Sequence, residues 1–128
     1  MAHYVVYDIY RNQTKKGCFI LEPKIIKDER GYFMESFNEK TFQEGIGQKV
    51  TFVQDNQSFS TRGVLRSCIT NVANMRKAKL VRVLQGEVLD VAVDLRPNSE
   101  TYGQYEAVLL SGENRRSFLF QEVLHFSF

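Results

Sequence analysis

The stretch that most clearly indicates the fold is Val88-Leu89-Asp90-Val91-Ala92-Val93-Asp94-Leu95. The leucines and valines at its odd-numbered positions share one face of an extended chain, whereas Asp90 and Asp94 lie on the other. This period of two is typical of a β-strand with one covered face. The sequence therefore predicts a half-buried strand over Val88–Leu95.

Similar patterns flank this strand. Lys79–Leu84 also alternates and is separated from it by Gln85-Gly86-Glu87, which predicts that the two segments form an antiparallel hairpin. A further strand is predicted over Gln104–Leu110, because turn-forming residues stand on both sides of it.

A helical pattern occurs at Asn38–Gly45, where Asn38 is a suitable N-cap and Gly45 a suitable end. Short strands separated by turns at intervals of about eight to twelve residues are typical of an all-β sandwich or barrel. Neither a linker nor an internal repeat divides the chain, so we expect a single domain over residues 1–128.

Composition excludes several classes of function. The 128 residues are 43% hydrophobic, enough for a core, and 17 basic and 15 acidic residues are scattered without the basic block of a nucleic-acid-binding protein. With no signal peptide and no apolar run that could span a bilayer, we expect a cytoplasmic protein without membrane contact. Cys18 and Cys68 have no ligand spacing and are expected to be reduced packing residues, so no metal site is predicted.

The segment Phe52–Ser58 is predicted to be a strand of unusual polarity. Gln54, Asn56 and Ser58 share one face, and Val53 lies on the other. Two interpretations stay open: this is a solvated outer face, or it lines a barrel interior that holds a polar ligand.

Several segments in the same order and spacing resemble the dTDP-4-dehydrorhamnose 3,5-epimerase family over residues 18 to 122. They are Asp28-Glu29-Arg30-Gly31-Tyr32-Phe33-Met34-Glu35-Ser36-Phe37, Gln54-Asp55-Asn56-Gln57-Ser58, Gly63-Val64-Leu65-Arg66, Ala78-Lys79-Leu80-Val81-Arg82-Val83, Gly86 to Arg96, Ser99-Glu100-Thr101-Tyr102-Gly103 and Leu110-Ser111-Gly112-Glu113-Asn114.

The resemblance implies a cupin-type jelly-roll β-barrel that forms a homodimer and binds a dTDP-hexose nucleotide sugar without a metal or other cofactor. In the family, a histidine removes the protons beside the 4-keto group, a tyrosine returns them on the other face, and a lysine stabilises the enolate. Such chemistry needs a base of near-neutral pKa and positive groups beside the developing oxyanion.

Six substrate-binding residues are carried over by position. Arg30 and Glu35 match a pair that contacts the nucleotide from the neighbouring subunit; Gln54 and Asn56 match amides that hold it. Arg66 matches the arginine near the diphosphate, and Lys79, thirteen residues later as in the family, matches the lysine near the sugar. Taken singly, Arg30 and Glu35 could be ordinary surface charges and Lys79 could extend from a strand end.

The catalytic positions depart from the family. Its segment Arg-Gly-Leu-His corresponds here to Arg66-Ser67-Cys68-Ile69, so Ile69 occupies the position of the base, and an isoleucine cannot accept a proton. Where the family has Gly-Phe-Ala-His-Gly-Phe, the chain has Phe126 in place of the histidine, with His125 one place early. His125 would face the cavity only if a β-bulge preceded it.

The matched family continues beyond Phe128 with further strands and the catalytic tyrosine, so the barrel is expected to be incomplete at its C-terminus. An unfinished barrel would leave apolar surface uncovered, which makes Phe118, Phe120, Phe126 and Phe128 candidates for burial against a second subunit.

Three hypotheses follow from these residues. The chain binds a dTDP-hexose but epimerises it poorly or not at all; or it is an active epimerase or sugar-nucleotide isomerase with His125 as a displaced base; or it is a non-catalytic dimerisation module. The retained polar set argues against the third, and the missing base and acid argue against the second.

Overall fold

The computed structural model describes residues 4–8, 18–47, 49–69, 78–95, 97–98, 100, 102–121 and 123–128. The strands are β1 Tyr4–Asp8, β2 Phe19–Pro23, β3 Ile26–Asp28, β4 Gly31–Phe33, β5 Arg66–Ile69, β6 Ala78–Arg82, β7 Glu87–Asp94, β8 Tyr105–Ser111, β9 Ser117–Gln121 and β10 Val123–Ser127, and helix α1 covers Glu39–Ile46. No helix in these ranges is long and apolar enough to cross a membrane.

The strands form two four-stranded antiparallel sheets and a small ribbon. The first sheet has the order β1-β2-β9-β6, the second has the order β5-β10-β7-β8, and β3 pairs with β4 alone. Both four-stranded sheets contribute to one buried cluster, the inner core, so they face each other. Its members are Cys18, Ala92, Val108, Leu110, Phe118 and Phe120.

The all-β expectation is therefore confirmed at the level of a mostly β chain with facing sheets. Barrel closure is not seen, because no pairing among the described strands joins the two sheets. Cys18 is buried and reduced, as expected; the side chain of Cys68 lies outside the described residues.

Helix α1 covers the outer face of the first sheet. Phe42 and Ile46 pack there against a second cluster from β2 and β9. As predicted, Asn38 caps the helix, its Oδ1 accepting a hydrogen bond from Thr41 N at 3.1 Å. The helix ends at Gly47, not Gly45, because Gly47 adopts the left-handed conformation with φ 71° and its N–H donates to Gln43 O.

Strand β7 confirms the predicted alternation but reverses the expected faces. Asp90, Ala92 and Asp94 are buried on the inner side, whereas Val91 and Val93 are only half-buried. Two carboxylates thus share the interior face with Ala92, whereas Val91 and Val93 face the other way. Alternation alone does not specify which face another sheet will cover.

The predicted hairpin between the strands now defined as β6 and β7 is wrong. Strand β6 pairs with β9 in the first sheet, and β7 pairs with β8 and β10 in the second, so the short connection crosses between sheets. Gly112 fits closely under this connection: its N–H donates to Gly86 O at 3.0 Å, and a Cβ there would lie 2.7 Å from Leu84 O. Local turn residues indicated a reversal, but the pairing partners are non-local.

The predicted strand over Phe52–Ser58 is also absent. Val50 and Phe52 still pack against the cluster that contains Phe42 and Ile46, but the chain from Val53 to Leu65 is exposed and has no regular secondary structure. Val53 is 93% and Phe59 87% exposed. A strand requires a partner for its backbone groups, and the described residues provide none here.

Phe118 and Phe120 were expected to be candidates for burial against a second subunit, and this is wrong. Both rings are fully buried within the chain, with centroids 5.5 Å apart. Phe128 is 55% exposed, although its backbone forms two hydrogen bonds with Leu89. The side chain of Phe126 lies outside the described residues.

Candidate functional site

The β3–β4 turn places Arg30 next to an acidic partner. The Arg30 side chain donates to Asp28 Oδ2 from Nη2 at 2.6 Å and from Nε at 3.1 Å, and its backbone N–H donates to Asp28 Oδ1 at 2.8 Å. All of this lies at the surface. The side-chain and backbone hydrogen bonds from Arg30 hold the pKa of Asp28 below its ordinary value of 3.8.

We predict that Arg30→Gln raises the pKa of Asp28 toward 3.8, because both hydrogen bonds from the charged side chain are lost. Since the folded-state pKa is lowered, the stabilising contribution of this pair is present above the ordinary pKa and is lost as the pH falls through the lowered value. An NMR titration of the Asp28 carboxyl measures the shift. Arg62→Gln, an exposed arginine elsewhere, serves as control; an unchanged Asp28 pKa in Arg30→Gln would contradict the assignment.

Glu35 follows the ribbon and is half-buried. Its Oε1 is shielded from solvent and accepts no hydrogen bond from the described residues. It lines a shallow pocket that has room for no more than a water molecule. The pocket is completed by Leu21, Pro23, Met34, Ser36 and Ser117. A carboxylate oxygen in this setting is a ready acceptor for a donor on a ligand or on another chain.

Gln54, Asn56 and Arg66 belong to the exposed segment 53–66. Gln54 Nε2 donates to Asn56 Oδ1 at 3.4 Å, so the structure brings the two amides together, on a loop and not on a barrel wall. Arg66 begins β5, and its guanidinium is bound from one side: Nε donates to Ser60 Oγ at 2.6 Å and Nη2 to Phe59 O at 3.3 Å. These bonds orient the arginine relative to the loop.

Lys79 lies on β6 opposite Phe120 of β9. By strand alternation it shares a face with Val81 and Val83, which pack against the inner core, yet Lys79 itself is exposed. Lys79 therefore lies at the rim of the space between the two sheets. Of the six predicted residues, the described hydrogen bonds join Gln54 to Asn56, whereas those of Arg30 and Arg66 go to neighbours in their own segments.

Sequence reasoning missed two acidic residues that the structure places inside. Asp90 is 0% and Asp94 1% exposed, both on the face of β7 that carries Ala92 of the inner core. Buried carboxylates are uncommon and often functional. The available signal is that the two acids stand four residues apart in an otherwise apolar strand, but alternation alone places both side chains on the solvent side. Among the described residues, no group of His, Cys, Asp and Glu is arranged to hold a metal ion.

Ile69, at the expected position of the base, and His125, the candidate displaced base, lie on neighbouring strands. In the ladder between β5 and β10, Ile69 pairs with Leu124 and Cys68 pairs with His125. His125 also pairs with Ala92 of β7, and the register runs without a bulge from Val123 to Ser127. The bulge that would have reoriented His125 is thus absent within β10, while the ladder already aligns its backbone with an inner-core position.

Comparison with known proteins now decides the family. The family model for dTDP-4-dehydrorhamnose 3,5-epimerase matches residues 13–128. The chain belongs to the dTDP-4-dehydrorhamnose 3,5-epimerase family. Its sequence is 57% identical over 106 residues to the epimerase of Methanothermobacter thermautotrophicus, covering 83% of this chain and 56% of that protein. The Shigella flexneri epimerase is 53% identical over 103 residues, or 80% of this chain and 57% of that protein.

Solved structures of epimerases in this family share the fold. The dTDP-6-deoxy-D-glucose-3,5-epimerase of Legionella pneumophila, in complex with dTDP-4-keto-L-rhamnose, gives a TM-score of 0.85 at 44% identity, covering 98% of this chain and 65% of that one. The Bacillus anthracis epimerase with TDP and pyrophosphate bound gives 0.81 at 36% identity, covering 96% and 70%. The chain spans a little over half the length of the curated epimerases that it matches.

Proposed function

We propose that this chain binds a dTDP-hexose and epimerises it slowly or not at all. The observation that carries the proposal is strand β5, where the family arginine is retained as Arg66 and Ile69 stands in place of the base. Membership of the epimerase family, and relatives that bind dTDP-4-keto-L-rhamnose or TDP, support the choice of ligand class.

The geometry of Arg66 supports a role in binding the diphosphate. Its side chain is exposed and is oriented through Nε and Nη2, and none of its described hydrogen bonds uses Nη1. A guanidinium held on one side presents its other donors in a fixed direction, which suits a phosphate oxygen. Gln54 and Asn56 lie on the same loop and supply amide groups for the nucleotide.

The positions of Lys79 and Glu35 support two further contacts. Lys79, at the rim between the sheets, is placed to provide positive charge near the sugar, where an enolate would form. Glu35 Oε1 is shielded from solvent and accepts no hydrogen bond from the described residues, so it is suited to accept one from a ligand. Following the family resemblance, we assign Arg30 and Glu35 to the nucleotide of a neighbouring subunit.

We further propose that the chain forms a homodimer. The β3–β4 ribbon exposes Tyr32 and Phe33, and segment 53–66 exposes Val53 and Phe59, more large apolar area than an isolated two-stranded ribbon or loop would keep in water.

Phe33→Asp is expected to shift the chain from dimer to monomer, because it places a charge on the proposed contact surface. Light scattering on a size-exclusion column measures the mass. Leu84→Asp, an equally exposed site away from the ribbon, is the control and should leave the mass unchanged. A monomeric unmodified chain at micromolar concentration would exclude the dimer.

Ligand binding is tested by thermal unfolding. A ligand at about one hundred times its Kd stabilises the folded state by about 2.7 kcal/mol, so dTDP is expected to raise the Tm. Arg66→Ala should weaken binding roughly 10- to 150-fold and remove about half of the rise or more, because a charge-assisted contact to phosphate is lost. Arg62→Ala, on the same exposed loop, should keep the rise. No rise at millimolar dTDP would remove the binding half of the proposal.

A second candidate function is an active epimerase that uses His125. It is favoured by the ladder that aligns His125 with Ala92 of the inner core and with Cys68 of β5. If His125 were the base, the chain would incorporate solvent deuterium beside the ketone, and His125→Ala would stop it. Equal labelling of both variants at the level of a protein-free blank would exclude this candidate.

A further inference from the structure

The interruption of the family pattern at the base position is short and leaves its surroundings in register. Gly63-Val64-Leu65-Arg66 matches before it and Ala78-Lys79-Leu80 after it, with the family spacing of thirteen residues from Arg66 to Lys79 preserved. No residue has been gained or lost in between. A block of altered residues between two matching blocks of unaltered spacing is the pattern that two compensating single-nucleotide shifts produce.

The genetic code tests this reading at the two residues that matter. Every codon for Cys68 begins with TG, and every codon for Ile69 begins with AT. Read one nucleotide earlier, the third base of the Ser67 codon joins TG, which gives leucine whenever that base is a pyrimidine. The third base of a cysteine codon is T or C, so it joins AT to give TAT or CAT, tyrosine or histidine. The shifted frame can therefore read Leu-His at positions 68 and 69.

Leu-His at those positions is the pair that follows Arg-Gly in the family segment. The coincidence is demanding, because in this frame Leu-His can be concealed only by phenylalanine, serine, tyrosine or cysteine followed by isoleucine, methionine or threonine. Cys68-Ile69 belongs to this small fraction of all residue pairs. The rest of the stretch to Lys77 forces no stop codon in the shifted frame.

We infer that residues 67–77 are encoded one nucleotide out of phase, and that position 69 of the enzyme made in the source organism is a histidine. One nucleotide is missing near codon 67 and one is extra near codon 77, so the chain length is unchanged. Among the described strands, β5 lies at the edge of its sheet and pairs with β10 alone, and the correction changes its residue types without shifting that ladder. The proposed function describes the chain with Ile69, and the inference describes the enzyme made in the source organism; it rests on the proposed function for the ligand class and supplies the base that the chain with Ile69 lacks.

Two measurements on the source organism decide it. Compared with a coding sequence for the chain with Cys68 and Ile69, the genomic sequence is expected to contain one more nucleotide before codon 68 and one fewer before codon 78. In the corrected frame, codons 68 and 69 are expected to read CTG or TTG followed by CAT. The native protein, digested with trypsin, is expected to lack the peptide Ser-Cys-Ile-Thr-Asn-Val-Ala-Asn-Met-Arg, residues 67–76. Detection of that peptide, or a cysteine codon TGT at position 68, would overturn the inference.

Failure here and failure of the proposed function are distinguishable. The response of the Tm to dTDP depends on Arg66 and not on the residue type at position 69. A chain that ignores dTDP while the genome reads CAT at codon 69 would refute nucleotide binding and leave the reading frame corrected. A chain that binds dTDP while the tryptic peptide is found would support nucleotide binding and refute the shifted reading frame.

Discussion

In deuterated water, this chain is expected to label the carbons beside the ketone of a dTDP-4-keto-6-deoxy sugar about 10²- to 10⁴-fold more slowly than a full-length epimerase of the family. This range is the typical contribution of a general base. Ile69 offers no atom that can accept the proton, so Lys79 would have an enolate to stabilise only rarely. Mass spectrometry of the recovered sugar nucleotide gives the rate of labelling.

The matched control for this experiment is Ile69→Ala. Alanine also accepts no proton, so the labelling rate should not change, whereas an indirect role for the isoleucine side chain would alter it. The rise in Tm with dTDP, measured on the same preparation, ensures that the protein is folded and binds ligand. Labelling within tenfold of the full-length enzyme would mean that another residue acts as base.

The largest effect on stability is expected from Phe118→Ala, which should lower the free energy of unfolding by about 3–5 kcal/mol. The ring is fully buried between the two sheets, packed with Phe120 and near Leu110 and Val108, so its removal leaves a cavity that both sheets line. Urea denaturation followed by circular dichroism measures the change.

Phe128→Ala is the control for Phe118→Ala, since the Phe128 ring is 55% exposed and surface substitutions usually change stability by about 0.5 kcal/mol or less. The loss in Phe118→Ala should not depend on protein concentration, because the contacts lie within one chain. A loss that vanishes at high concentration would instead place Phe118 at a subunit interface.

The sequence predicted those features that depend on local chemistry. Asn38 caps α1 because its short amide side chain can reach the N–H of Thr41, and that geometry is encoded within four residues. The strands now defined as β7 and β8 were located because alternation is a local property of the chain. At each end of each strand, the observed bound differs from the predicted bound by one residue.

Features that depend on distant partners were not predictable in the same way. The inward orientation of Asp90 is set by the first sheet, which lies across the inner core and comes largely from other parts of the chain. The missing strand at Phe52–Ser58 has the right alternation but finds no backbone partner among the described residues. The connection after β6 looked like a hairpin turn, yet it crosses to the other sheet above Gly112.

The candidate site shows the same division. The residue types at Arg30, Glu35, Arg66 and Lys79 were identified by position, and the structure adds how each is held: Arg30 by Asp28, and Arg66 by Ser60 and Phe59. These contacts could not be anticipated from spacing, because they depend on how the exposed ribbon and loop fold. Asp90 and Asp94 were visible in the sequence, but only burial distinguishes them from ordinary surface acids.

The most direct test of the central claim is a calorimetric titration of the chain with a dTDP-4-keto-6-deoxy sugar in deuterated water, followed by mass analysis of the sugar from the same cell. We predict a saturable heat of binding, weakened in Arg66→Ala, and labelling of the carbons beside the ketone at about one hundredth of the rate of a full-length epimerase or less. Labelling within about tenfold of that of a full-length epimerase, or the absence of any saturable heat, would contradict a site that retains its ligand contacts and lacks its base.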